Sequence, residues 1–142
     1  MSFLSFNRLG LLIFLFLISG CADNPRGLVP LQGKVTINGI SVKAGSINFR
    51  PMGNQEHIGA SAAPIIGGNY SIPAAKGAMP GEYRVEIFAS EDTGQVDSEG
   101  MPISRSLIPT KYNDNSELTI TVAKGKSYDF DLVFDEADFK KK

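Results

Sequence analysis

The chain has 142 residues, 14 Lys and Arg against 15 Asp and Glu, and a formal net charge of −1. It has no Trp, one His and one Cys. A near-neutral balance without a basic cluster excludes an electrostatic nucleic-acid surface. A single Cys excludes an intrachain disulfide, so the fold must hold through its core.

The first residues carry Arg8, no acid, and then the apolar run Leu9-Gly10-Leu11-Leu12-Ile13-Phe14-Leu15-Phe16-Leu17-Ile18. That run is short for a membrane span, which needs about 20 apolar residues. A charged start, a short apolar stretch and small residues after it predict a cleaved export signal over residues 1–20. Ile18-Ser19-Gly20-Cys21 resembles the lipobox of bacterial lipoproteins: an aliphatic residue, two small ones and a cysteine. In that family the cysteine sulfur takes a diacylglyceryl group, and small residues let the signal peptidase approach the backbone. The resemblance implies cleavage before Cys21 and an anchor of covalent lipid on Cys21, with no other cofactor. More than one acyl chain is needed for stable anchoring, and a multiply acylated cysteine supplies it. Ala22 rather than Asp at the next position implies the outer membrane where a cell has two. Removing residues 1–20 takes away only Arg8, which leaves 13 bases against 15 acids, or −2.

Residues 21–30 hold Asp23, Asn24, Pro25, Arg26, Gly27 and Pro30 and read as a lipidated tether. A single domain is expected over residues 31–135, a length sufficient for a real core. Its pattern is alternation with period two. Val35 and Ile37, then Ile47 and Phe49, then Tyr83, Val85 and Ile87 alternate with polar neighbours. So do Leu118, Ile120 and Val122, and Tyr128, Phe130, Leu132 and Phe134, the last run broken only by Val133. One apolar and one polar face per strand predicts an antiparallel sheet half-exposed to water. Ala63-Pro64-Ile65-Ile66 and Tyr70-Ser71-Ile72 flank Gly67-Gly68-Asn69 as a further pair of strands. Asn38-Gly39 is a strong hairpin signal, Pro80-Gly81 suits a type II turn, and Lys124-Gly125-Lys126 joins the last two strands. After the signal helix no segment has helical periodicity. Seven short strands predict an all-β, seven-stranded antiparallel Greek-key sandwich. Residues 136–142, with Lys140, Lys141 and Lys142, read as a charged, solvated tail.

Three segments in order resemble the carboxypeptidase regulatory-like domains, which share the transthyretin-like (prealbumin-like, Ig-like) sandwich. Gly33-Lys34-Val35, Asn38-Gly39 and Ala44-Gly45-Ser46-Ile47-Asn48-Phe49 are similar to that family's opening. Pro80-Gly81-Glu82-Tyr83-Arg84-Val85 resembles its Pro-Gly-x-Tyr-x-Val strand. Pro109-Thr110-Lys111-Tyr112-Asn113, with Ser116-Glu117-Leu118-Thr119, resembles small lipoproteins built on this fold. The resemblance spans residues 31–134 and implies a non-catalytic accessory or interaction module at the cell envelope. It implies the lipid membrane as partner, an envelope protein as a candidate second partner, no nucleic acid, and no catalytic residues.

Chemistry outside the resemblance is sparse. His57, beside Glu56, is the sole candidate base and has no Gly-x-Ser-x-Gly elbow to serve; with the thiol used by lipid, zinc lacks ligands. Tyr83 falls on an inward face and is expected in the core with its hydroxyl satisfied near the edge. Residues 90–111 lack alternation and read as a long polar loop, the candidate partner contact. Its acids Glu91, Asp92, Asp97 and Glu99 suit either solvated charge or a calcium site, though the spacing matches no EF-hand. A carbohydrate-binding role would want exposed aromatics, and most Tyr and Phe fall on inward faces.

Overall fold

The computed structural model describes residues 26–55 and 58–140. The export signal, the lipobox residues Ile18, Ser19, Gly20 and Cys21, the start of the tether, and His57 with Glu56 lie outside them.

Among the described residues ten strands form: β1 (Leu31–Ile37), β2 (Ile40–Ser41), β3 (Ala44–Pro51), β4 (Ser61–Ile66), β5 (Asn69–Ile72), β6 (Gly81–Phe88), β7 (Ser90–Val96), β8 (Pro102–Ser106), β9 (Thr119–Val122) and β10 (Phe130–Leu132). Five of them, β1, β3, β6, β9 and β10, are those that alternation predicts, and β4 and β5 are the pair expected on either side of Gly67-Gly68-Asn69. Eight strands make one sheet in the order β10-β1-β5-β4-β3-β6-β9, with β2 paired to β1. The helical pieces among the described residues are short 3-10 turns, the longest Glu136–Lys140.

The turns follow their residues. Asn38 (φ 49°) and Gly39 (φ 80°) take the left-handed pair that joins β1 to β2, and Gly67 (φ 56°) with Gly68 (φ 81°) joins β4 to β5. The Pro80-Gly81 expectation is corrected: Gly81 sits at φ 151°, already paired with Val122 as the first residue of β6, so no type II turn forms there.

One face of the curled sheet is apolar. Val35, Ile47, Phe49, Ile65, Ile72, Tyr83, Val85, Ile87 and Leu132 are almost wholly buried, and their sequence neighbours are exposed or half-buried apart from Glu86. Val133 breaks the alternation because it points to solvent, at 64% exposed. Close approaches fix the layers. A Cβ on Gly33 would lie 1.9 Å from the Tyr128 carbonyl, and one on Gly77 2.1 Å from the Val29 carbonyl.

A wholly antiparallel arrangement is not what forms. β10 runs parallel to β1, with Val35 opposite Phe130 and Ile37 opposite Leu132. Parallel neighbours ordinarily need a crossover of a dozen residues or more. Here the sheet curls into a half-barrel that brings its two ends together, so the short segment from Ala123 to Asp129 suffices. Tyr128 spans the seam. Its N–H donates to Gln32 of β1 at 2.9 Å, while its hydroxyl accepts from the Ala123 N–H at 2.8 Å and reaches the Thr121 carbonyl of β9 at 3.2 Å.

The long polar loop is also corrected. Residues 90–106 form the separate two-stranded hairpin β7–β8, and 110–112 a 3-10 turn. All residues of both strands are exposed, so neither face carries an apolar stripe for alternation to reveal. The tail is likewise not wholly free. Phe139 packs edge-on against Phe134, with ring centroids 5.6 Å apart, and Lys111 Nζ bonds Asp138 at 2.9 Å.

Candidate functional site

β6 does not stop at the sheet margin. Past Phe88 the chain runs through buried Ala89 into β7, turns at 97–100, and returns as β8. The Leu107 N–H donates to the Ala89 carbonyl at 2.8 Å and closes the base. The hairpin is therefore an outward continuation of a core strand.

Its own residues build it. Glu91 stands directly opposite Arg105 and forms an ion pair with it. The Asp92 carboxylate accepts from the Gly94 N–H at 2.8 Å, in a turn where Gly94 has φ 72°. Asp97 accepts from the N–H groups of Glu99 and Met101, both at 2.9 Å, and its own N–H donates to the Met101 carbonyl. Thr93 Oγ1 crosses to the Ile103 carbonyl at 2.7 Å. Short polar side chains thus satisfy backbone groups that no core could.

Glu91, Asp92, Asp97 and Glu99 share this hairpin but do not converge. Two hold turns and one an arginine, and among the described residues no group of three or more acidic, His or Cys side chains could hold a metal. Sequence reading located the segment and missed what surrounds its base.

That base sits in a collar of shallow concavities. The largest, about 630 Å3, is lined by Gly45, Phe88, Ala89, Ile108, Asn113 and Phe139 among others. Gly45 has to be glycine there, since a Cβ would lie 2.3 Å from the Phe88 carbonyl. A neighbouring groove brings Ile37, Ile40 and Leu107 against Glu91. Polar groups in the collar are satisfied by the protein itself. Buried Asn113 donates to the Ile108 carbonyl at 3.1 Å, and Ser106 Oγ to the same carbonyl at 2.8 Å. The hydrogen bond that Lys111 donates to the Asp138 carboxylate raises the Lys111 pKa and keeps that cation in place against the tail.

Exposed apolar side chains gather at this same end. Ile40 follows the β1 turn, Ile66 pairs with Ala44 where β3 begins, Val133 follows β10, and Phe139 lines the largest concavity. Val96, Met101 and Ile103 lie on the hairpin itself. Of the large exposed hydrophobics among the described residues, only Met52 stands at the opposite end, where β3 finishes. The signal was present in the sequence as apolar residues out of phase: Ile66 directly after Ile65, and Val133 between Leu132 and Phe134.

A second polar cluster lies on the outer face of β3 and β6. Glu86 is buried at 4% exposure and holds Arg50 Nε at 2.6 Å, with an Arg84 nitrogen 3.7 Å away. Hydrogen bonding to Glu86, and its charge, raise the Arg50 pKa. The carboxylate is matched by two cations and ties neighbouring strands together.

Comparison with family models, with characterised proteins and with solved structures finds no match to this chain.

Proposed function

We propose that the chain is a non-catalytic lipoprotein of the bacterial cell envelope, anchored through lipid on Cys21, whose β domain is a binding or structural accessory module. In this reading the curled sheet is the transthyretin-like Greek-key sandwich of the carboxypeptidase regulatory-like domains, elaborated by the β7–β8 hairpin. The anchor faces the non-cytoplasmic side, with Ala22 pointing to the outer membrane where there are two.

The observation that supports it most is the separation of tether and exposed end. Val29 bridges to Ala78 before β1 begins, so the tether joins at the end where β5 finishes and β6 starts. The hairpin leaves from the other end of β6. An eight-residue strand separates the two by roughly 26 Å at about 3.3 Å per residue. A domain held by lipid at one end and apolar at the other is built to present that other end.

Intact-mass spectrometry of the protein purified from membranes, beside Cys21→Ser, tests the anchor. The expected mass is that of residues 21–142 plus acyl groups, lost in the variant. An uncleaved or unmodified chain would sink the lipoprotein reading and leave the domain without its location.

A further inference from the structure

We infer that the β7–β8 hairpin docks a basic, extended segment of another protein, which adds as a strand along the hairpin's open edge and lays apolar side chains onto its collar. This deepens the reading of the domain as a binding module and does not depend on the lipid.

The backbone supplies the first argument. Among the described residues β7 and β8 pair only with each other, so each keeps one row of peptide groups without a ladder partner there. Such an edge is a template for strand addition, in which main-chain hydrogen bonds hold the segment and alternate side chains select it. The apolar side chains supply the second. Val96 and Met101 are 62% and 61% exposed near the hairpin's tip, and Ile40, Leu107 and Phe139 line concavities at its root. Apolar exposure concentrated at one end of a domain marks a contact surface.

Charge selects the occupant. Residues 90–106 carry four acids and one base, a net of −3 on a chain whose total is −1, so the remainder carries +2. A second copy would bring −3 against −3 along the paired edges, and like charges directly opposite destabilise a strand pair. Anionic phospholipid headgroups meet the same repulsion. A basic segment that also carries apolar residues meets Asp92 on β7 and Asp97 and Glu99 in the turn with opposite charge, and Val96, Met101 and Ile103 with apolar contact. Opposite-charge complementarity also speeds the encounter and sets its specificity.

The test titrates fluorescein-labelled octapeptides of alternating valine and lysine, or valine and glutamate, into the detergent-solubilised full chain, read by anisotropy and by amide shifts. The lysine peptide is expected to bind saturably, to shift resonances of residues 90–106, and to weaken as salt rises. The variant Asp92→Asn/Asp97→Asn/Glu99→Gln keeps the turn-holding acceptor oxygens and removes three charges. It is expected to retain the wild-type thermal transition and to bind the lysine peptide about tenfold more weakly, as three exposed ion pairs would imply. Equal binding of the two peptides, unchanged affinity in the variant, or shifts confined to the rest of the sheet would overturn the proposal. A dimer in sedimentation that dissolves when the hairpin is shortened would assign the edge to a second copy instead. Hairpin-dependent binding to phosphatidylglycerol vesicles would assign it to a membrane. Lipidation is read by mass and docking by peptide titration, so either reading can fail while the other stands.

Discussion

Two tyrosines in the same core have opposite accounts. Tyr70 is buried and its hydroxyl donates to the Tyr128 carbonyl at 2.7 Å; burial, and then the charge of Asp129, push its pKa well above the ordinary range. Tyr83 is buried as alternation predicts, but among the described residues its hydroxyl has no hydrogen bond of good geometry, which corrects the expectation of a satisfied edge position. Burial raises its pKa, and the Met79 backbone only partly offsets this. An unsatisfied buried hydroxyl is costly, whereas removing one side of a made bond orphans the other. Tyr70→Phe is therefore expected to destabilise by about 1 kcal/mol and Tyr83→Phe to leave stability unchanged or raise it, as urea unfolding would measure. A loss at Tyr83 as large as that at Tyr70 would contradict this account. Asp131 gives a pH signature. The Thr36 hydroxyl at 2.7 Å and then the Gly39 N–H at 2.9 Å lower its pKa. Its contribution is present above the ordinary carboxylate value and disappears as pH falls through the lower folded value. The gap in melting temperature between wild type and Asp131→Asn should be open at neutral pH and close below about pH 4.

At the scale of elements, the hairpin and the sheet obey different rules. The main strands exist because one face is buried; β7 and β8 exist because turns, an ion pair and side-chain bonds to backbone satisfy them locally. Their residues bury nothing, so shortening the hairpin should cost the domain little. Replacing residues 92–104 by Asn-Gly is expected to move the melting temperature by only a few degrees, equivalent to about 1 kcal/mol or less for surface changes. A loss of cooperative unfolding would show instead that the hairpin belongs to the core. Gly45→Ala, by contrast, forces a methyl onto the Phe88 carbonyl where the hairpin is rooted, and should cost about 3 kcal/mol or more. Calorimetry on the two variants separates root from projection.

For the whole molecule, the seam between β9 and β10 matters most. β1 carries partners on both sides, with β5 and β2 on one and β10 on the other, and Tyr128 links that end of the sheet to β9. Tyr128→Phe keeps the ring and removes the hydroxyl that meets the Ala123 N–H and the Thr121 carbonyl. The expected result is a loss of about 1–2 kcal/mol together with faster amide exchange in β9 and β10 and unchanged exchange in β3 and β4. Uniformly faster exchange would mean that the seam is not a separate opening unit.

Seven strands and three of their turns were legible in the sequence, five strands because a face that is wet opposite one that is dry must alternate, and the rest because left-handed turn positions call for Asn and Gly. The out-of-phase Val133 and Ile66 were legible too, though only as irregularities. The hairpin over 90–106 was hidden for a physical reason: period two reports the burial of one face, and a strand exposed on both sides has no such face to report. The parallel pairing of β10 could not be read locally either, since it depends on a curl that brings opposite ends of the sheet together. The sequence by itself determined that this is an all-β domain with one apolar layer and a polar acidic excursion after β6. Only the tertiary structure decided that this excursion is a projecting hairpin at the apolar end, away from the point where the tether joins, because ends and edges are set by how strands are ordered in space.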